Sequence, residues 1–240
     1  MPPSLSTTSY AILGLLSLRS WTTYELAKQV QRSLGWFWPR AERKLYDEPK
    51  RLVASGLAEC EREMTGARPR TVYAVTRSGR KALRRWLDEA PAPPTLEFEG
   101  MVKVFFADGG TLGQLRATLT SIANTAEARL AELEAKVGEL AGDDVPFAER
   151  LHLNALGLRF MLDHERSIAG WARWALDQTT AWRSTADAGS WDHRQALQEH
   201  RTTRPNGREP LGPTPAAVAI CPSNWDDAVP PRGSNPEPTD

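Results

Sequence analysis

The chain has 240 residues, of which 40% are apolar, enough to bury a hydrophobic core in two folded units. Residues 1–90 carry 16 basic and 9 acidic side chains, a net charge of +7, while residues 91–240 carry 14 and 21, a net of −7. Two cysteines, and no apolar run long enough to span a bilayer, exclude a disulfide framework, a zinc cluster and a membrane partner, so we expect a cytoplasmic protein.

Three short helices are predicted at the start of the chain, where apolar residues recur every three or four positions. The first covers Thr8 to Leu18. The second begins at Thr22, because Thr22 and Glu25 form a capping box that satisfies backbone amides left free at a helix start. Pro39 suits the first turn of the third helix, where its missing amide needs no partner.

A hairpin and a fourth helix follow. Gly56 ends the third helix, and the strands Leu57–Glu63 and Thr71–Thr76 are joined by a turn containing Gly and Pro. Ser78 to Leu87 has the apolar spacing of a helix. This order predicts a winged helix-turn-helix domain with a two-stranded wing over residues 1–90.

The pattern changes to long helices after a stiff linker at Pro91, Pro93 and Pro94, where we place the domain boundary. A helix is predicted from Glu97 to Ala107. A much longer one is capped by Thr111 with Gln114 and runs to about Leu140. Its apolar positions are spaced by three and four throughout, which is the seam of a coiled coil or bundle.

Pro146 is expected to start another long helix, whose apolar stripe begins at Phe147 and which reaches about Trp182. This helix forms an antiparallel hairpin with its predecessor. We predict a dimerisation domain over residues 91–185, with the seam forming a homodimer through residues 97–182. Residues 186–240 lose this periodicity, and residues 201–240 hold half of the chain's 18 prolines. The sequence predicts a disordered, Pro-rich tail there and a mainly α fold overall.

The basic residues of the third helix and the wing suggest DNA as the partner. On a helical wheel the apolar face of the third helix holds Ala41, Leu45, Pro49, Leu52 and Val53. Arg40 and Arg43 lie opposite this face, so their guanidinium groups can enter a major groove and pair with guanine. Arg68 and Arg70 flank Pro69 in the predicted turn of the hairpin, where they can reach the sugar-phosphate backbone or the adjacent minor groove. The wheel places Lys50 and Arg51 on the same outer face. Pro49 is expected to bend the helix, so the wheel predicts the direction of these two side chains less securely than that of Arg40 and Arg43.

The DNA-binding candidates are Arg40, Arg43, Lys44, Tyr46, Lys50, Arg51, Arg68 and Arg70. Two roles stay open for Tyr46, which lies at the edge of the outer face: contact with a phosphate or a thymine methyl, or packing against a neighbouring helix.

The order of these pieces resembles the PadR family of bacterial transcriptional regulators. The resemblance rests on residues 10–16, 23–26, 45–57 and 72–79, beginning with the run Tyr-Ala-Ile-Leu-Gly-Leu-Leu. It implies that a homodimer binds a double-stranded, pseudo-palindromic operator, usually as a repressor, with affinity altered by a small ligand. The resemblance further suggests an aromatic or other apolar effector near the dimer interface. The aromatic residues there, including Trp171, Trp174 and Trp182, are more simply explained as packed core and interface anchors, and no ligand-binding residue is assigned.

Three alternatives stay open at this stage. The charge asymmetry is also explained by two domains that differ in surface charge for solubility. The third-helix face could dock a partner protein, which would make the chain a winged-helix adaptor. An enzyme would need clustered polar residues within the helical seam, and the four histidines show no metal spacing. We therefore expect no catalytic residues, no metal and no cofactor.

Overall fold

The computed structural model describes residues 5–36, 38, 42–65, 68–142, 145 and 147–202, and the side chains of all of these except 42–44, 65, 68–69 and 199–202. The chain divides into residues 1–198 and residues 199–240. The described helices and strands are α1 (Thr7–Leu18), β1 (Trp21–Thr22), α2 (Thr23–Ser33), α3 (Glu42–Ala54), β2 (Ala58–Thr65), β3 (Arg68–Val75), α4 (Arg77–Asp88), α5 (Glu99–Phe105), α6 (Leu112–Leu140), α7 (Leu151–Gln178) and α8 (His193–Thr202).

The first helices begin where polar side chains can cap them. Ser6 forms a capping box with Ser9 at the start of α1, and Thr22 forms the predicted one with Glu25 at the start of α2. In the second box the Thr22 amide donates to Glu25 Oε2 at 2.7 Å, and the Glu25 amide donates to Thr22 Oγ1 at 3.2 Å. The helices then close on a shared core that includes Ile12, Leu13, Leu16, Trp21, Leu26, Val30, Leu45, Leu52 and Tyr73.

The wing belongs to a three-stranded antiparallel sheet in the order β1-β3-β2. Strand β1, which the sequence pattern missed, pairs Trp21 with Tyr73. Strands β2 and β3 pair from Ala58 with Val75 to Thr65 with Arg68. The strands are therefore longer than predicted, and Arg68 begins β3 rather than lying in the turn.

Two glycines hold the wing against the helices. Gly56 has a φ of 69°, a left-handed conformation that ends α3 and favours glycine. Its carbonyl accepts a hydrogen bond of 2.8 Å from Thr76 Oγ1, which also caps α4 by accepting from the Gly79 amide. Gly79 is buried, and a Cβ there would collide with the carbonyl oxygen of Leu57. Strand β3 and helix α4 are thus anchored to the exit of α3.

The C-terminal part is built on the predicted antiparallel hairpin of α6 and α7. The capping box of Thr111 with Gln114 begins α6, as the sequence predicts. Leu133 is fully buried between the helices with Leu158 and Leu162, and a second cluster forms around Ile122 and Ala172. Ion pairs also cross the hairpin. Arg173 Nη2 lies 2.6 Å from Glu127 Oε1, and the buried Glu165 lies 3.4 Å from Arg129 Nη1.

Within residues 1–198, the helices and strands that precede the linker also contact the α6–α7 hairpin through aromatic side chains. Trp36, in the connection between α2 and α3, packs on the Leu133 cluster, with the ammonium of Lys136 at 5.3 Å from its ring. Phe147 was expected on the packed stripe of the last long helix. It instead precedes α7 with a φ of 61° and packs on the N-terminal core, 6.1 Å from Trp21. The expected start at Pro146 lies outside the described residues.

The C-terminal segment is ordered further than the sequence predicts. Trp191 donates a 2.7 Å hydrogen bond to Gln178 at the end of α7, and Thr185 donates to the Gly110 carbonyl at 3.1 Å. Helix α8 then covers His193–Thr202, inside the segment expected to be a disordered tail. Residues 203–240 lie outside the described residues. No helix in the described part of the chain is both long and apolar enough to cross a membrane.

Candidate DNA-binding site

The face of α3 that packs against the N-terminal core contains both apolar and charged side chains. Leu45, Pro49 and Leu52 are buried, as the helical wheel predicts, and the helix continues unbroken across Pro49. Glu48 is also buried, with 6% of its surface exposed, and its Oε1 accepts a 2.5 Å hydrogen bond from Ser9 Oγ on α1. A charged side chain therefore fixes α3 against the first turn of α1.

This contact belongs to a short hydrogen-bonded chain. Ser9 Oγ accepts a 3.0 Å hydrogen bond from the Ser6 amide and donates its one proton to Glu48. The hydroxyl of Ser6, 3.0 Å from Ser9 Oγ, must then be the donor in that pair. Glu48 is thus compensated by a hydroxyl, by the amide end of α1 and, from outside, by Arg51.

The outer face of α3 presents Lys50 and Arg51, which is where the wheel places them. Their side chains are 68% and 66% exposed. Each is paired within the helix: Lys50 Nζ lies 3.9 Å from Asp47 Oδ1, and Arg51 Nη1 lies 3.3 Å from Glu48 Oε2. Tyr46 is half-buried and packs against the N-terminal core. Of the two roles left open for Tyr46, packing is therefore the one with a visible contact.

The wing contributes Arg70, whose side chain is 44% exposed. Its Nη2 and Nε donate to Glu63 Oε2 at 2.8 and 3.1 Å, across the directly paired strands β2 and β3. Burial raises the pKa of Glu25, but hydrogen bonds from Thr22 and the positive charges of Arg19 and Arg70 outweigh this and lower the pKa. Arg70 therefore lies in the field of two carboxylates, one on the wing and one on α2.

The remaining candidates lie wholly or partly outside the described residues. Arg40 lies outside the described residues, and so do the side chains of Arg43, Lys44 and Arg68, although the backbones of these three belong to α3 and β3. The structure brings together α3 and the wing as the sequence predicts, and shows the side chains of Lys50, Arg51 and Arg70 on them. Sequence reasoning missed Glu48 and Glu63, because a carboxylate on an amphipathic helix or an alternating strand is ordinarily assigned to solvent.

A cleft of about 530 Å³ lies behind α3, between the connection to α2 and helix α6. Val30 and Leu45 supply apolar walls, Trp36 and Trp38 supply aromatic surface, and Arg129 and Glu132 close the α6 side. Within the described residues, no group of His, Cys, Asp and Glu side chains could hold a metal ion.

Apolar side chains are also exposed along two C-terminal helices. On α7, Leu153, Leu156 and Phe160 recur at helical spacing and are 47%, 71% and 61% exposed. On α5, Val102 and Phe105 are 56% and 80% exposed. The α6 seam that the sequence assigned to a second subunit is instead mostly covered by α7 of the same chain. Grouped apolar side chains are therefore exposed on α5 and α7.

Comparison with known proteins gives matches to both parts of the chain. Residues 12–85 match the transcriptional regulator PadR-like family, and residues 99–180 match the family described as virulence activator alpha C-term. The negative transcriptional regulator PadR of Bacillus subtilis is 26% identical over 166 residues, which cover 68% of this chain and 91% of that protein.

Solved structures of the Bacillus subtilis protein are similar as well. The one in complex with operator DNA has a TM-score of 0.66 and 25% identity, covering 72% of this chain and 98% of that one. The one in complex with p-coumaric acid has a TM-score of 0.57 and 24% identity, covering 72% of this chain and 97% of that one, and shows the shared fold.

Proposed function

The chain belongs to the PadR-like family of transcriptional regulators, which are not enzymes, and we propose that it is a cytoplasmic repressor that binds a pseudo-palindromic operator as a homodimer. It is a DNA-binding regulator of the winged-helix type. The observation that carries the proposal is the exposure of two basic side chains, Lys50 and Arg51, on the outer face of α3 beside the wing, on a fold shared with a DNA-bound relative. Major-groove recognition by an exposed helix needs this geometry.

The proposed DNA contacts divide into two kinds. Arg40 and Arg43 are assigned to base edges, together with Lys44, Lys50 and Arg51. Arg68 and Arg70 on the wing are assigned to phosphates, which position the protein without reading sequence. Tyr46 is assigned to the packing of α3 against the N-terminal core.

Dimerisation is proposed through the helical part, residues 97–182. The exposed apolar stripe of Leu153, Leu156 and Phe160 on α7 supports it, because monomers rarely leave such side chains grouped in water. The same holds for Val102 and Phe105 on α5. A two-fold axis between two hairpins would present two winged helices to the half-sites of a palindrome.

A small aromatic or apolar ligand is proposed as the effector. PadR of Bacillus subtilis is known in complex with p-coumaric acid. The cleft behind α3 supports a similar class of ligand here, since it is lined by Trp36, Trp38 and Leu45. A ligand in that cleft would touch the recognition helix and α6 together, and would thereby couple binding to the placement of α3.

Fluorescence anisotropy with the DNA upstream of the chain's own gene tests the DNA contacts. We expect specific binding that weakens steeply with salt, as it does when many phosphates are neutralised. Arg40→Ala with Arg43→Ala should reduce binding to that DNA to the level of a random duplex of equal length. Equal affinity of the unaltered chain for both duplexes would refute the proposed function as a sequence-specific repressor. Unchanged binding of the double variant to the upstream DNA would refute the assignment of Arg40 and Arg43 to base contacts.

Light scattering at micromolar concentration tests the dimer. We expect a dimer for the unaltered chain and a monomer for Phe160→Glu, which places a charge in the apolar stripe. Asn154→Glu is the matched control, because Asn154 is exposed on the same helix outside the stripe and its substitution leaves the dimer intact. A monomeric unaltered chain would contradict the proposal.

A further inference from the structure

Each basic side chain of the DNA-binding surface that the structure describes lies against a carboxylate. Lys50 pairs with Asp47 at 3.9 Å and Arg51 with Glu48 at 3.3 Å, both within α3. The wing pair is the tightest of the three. There, two guanidinium nitrogens of Arg70 donate to the same oxygen of Glu63, at 2.8 and 3.1 Å.

The geometry of the wing pair is set by the sheet. Glu63 and Arg70 are direct partners in the antiparallel register of β2 and β3, so their Cα atoms are held opposite each other by the backbone. Both side chains are 44% exposed, which leaves the pair open to a ligand from solvent. The carboxylate is therefore placed to meet the guanidinium whenever no other anion does.

Carboxylate and phosphate oxygens recognise guanidinium in the same way, through charge-assisted hydrogen bonds. The Nε and Nη2 hydrogens of Arg70 that bind Glu63 cannot be given fully to a phosphate at the same time. We propose that Glu63 competes with DNA phosphate for Arg70 and so lowers the part of the DNA affinity that does not depend on base sequence. This inference rests on the proposed assignment of Arg70 to the phosphate backbone.

The effect falls on sequence-independent binding because phosphate contacts carry no sequence information and make up nearly all of non-specific affinity. Arg70 with Glu63 is a pair of zero net charge. Replacing Glu63 with Gln removes the carboxylate, so the net charge of the pair rises from zero to +1 and the guanidinium no longer has to leave Glu63 to bind a phosphate. Binding to any duplex then becomes tighter and more sensitive to salt.

The chain offers a close control for this substitution. Strand side chains alternate between faces, so Glu61 lies on the same face of β2 as Glu63. Its direct partner across the strands is Val72, which carries no charge. Glu61→Gln changes the net charge of the wing by the same amount as Glu63→Gln without removing the direct partner of Arg70.

The experiment measures anisotropy of a random duplex at several salt concentrations. Glu63→Gln should bind about two to five times more tightly than the unaltered chain, the range of an exposed ion pair. The logarithm of its affinity should fall with the logarithm of salt about 0.9 more steeply, the value for one further phosphate. Glu61→Gln should show less than half of either change. Equal shifts in the two variants would overturn the inference in favour of a general charge effect.

A third variant separates this inference from the proposed site. Arg70→Gln should weaken binding to the random duplex, and in that background Glu63→Gln and Glu61→Gln should become equivalent. If Arg70→Gln has no effect, the assignment of Arg70 to phosphate fails, and the inference fails with it. If Arg70→Gln weakens binding while Glu63→Gln behaves as Glu61→Gln does, the assignment stands and the competition is refuted.

Discussion

Replacing Ser9 with alanine removes the hydroxyl that fixes the recognition helix α3 to α1. Ser9 and Glu48 are 2% and 6% exposed, so water cannot readily replace the 2.5 Å hydrogen bond between them. A hydrogen bond to a charged group contributes about 1.5–3 kcal/mol. We therefore expect Ser9→Ala to lower the free energy of unfolding by about 2 kcal/mol, or the Tm by about 4–8 °C for a chain of this size.

Urea unfolding followed by circular dichroism measures this loss. Ser17→Ala is the matched control on the same helix, because Ser17 Oγ donates to the Leu13 carbonyl, a backbone group already used within α1. Its effect should stay within about 0.5 kcal/mol. Arg51→Gln removes the exposed partner of Glu48 and should cost less than about 1 kcal/mol. The reasoning is refuted if Ser9→Ala is no more destabilising than Ser17→Ala.

Three further predictions concern stability. The pKa of Glu25 is lowered below its ordinary 4.5, so its charged form stabilises the fold above that pH and the contribution disappears as pH falls through the folded pKa. Urea midpoints between pH 6 and about 3 should consequently fall less for Glu25→Gln than for the unaltered chain; parallel curves would contradict this. Gly79→Ala should destabilise by about 1–3 kcal/mol in thermal unfolding, because its Cβ meets the Leu57 carbonyl, whereas Gly138→Ala, with open space at its Cβ, should be neutral or stabilising. Leu133→Ala should cost about 2–5 kcal/mol in urea titration, since Leu133 is fully buried, and a loss below about 1 kcal/mol would show that α6 and α7 do not pack as described.

Local chemistry made much of the fold predictable. The capping boxes at Thr22 and Thr111 depend on residues three positions apart, and the structure confirms both. The spacing of apolar residues predicts the long helix α6 and its antiparallel partner, and the structure confirms both. Strand β1 could not be predicted, because two residues give no alternation and their pairing with β3 depends on the closed fold.

The site was less accessible from the sequence, for a physical reason. On a helical wheel Glu48 falls beside Leu45 and Leu52, but a carboxylate is ordinarily assigned to solvent. Its burial is favourable because Ser9 on α1 donates a hydrogen bond to it and Arg51 pairs with it, and the first of these contacts depends on the folded arrangement of two helices. The pairing of Arg70 with Glu63 follows from the register of β2 and β3. The sequence pattern predicted shorter strands with Arg70 outside them, so it did not predict this register. The predicted contacts with DNA bases stay predictions.

Trp36 and Phe147 have a consequence for how DNA spacing is set. The Trp36 indole packs on the α6–α7 hairpin, and the ring of Phe147, just before α7, packs on the core around Trp21. Together with the covalent linker over residues 89–98, they tether the winged helix at three separate places. A body held at three places does not swivel about its linker. Inserting a few residues beside Pro93 should therefore leave the preferred distance between half-sites unchanged.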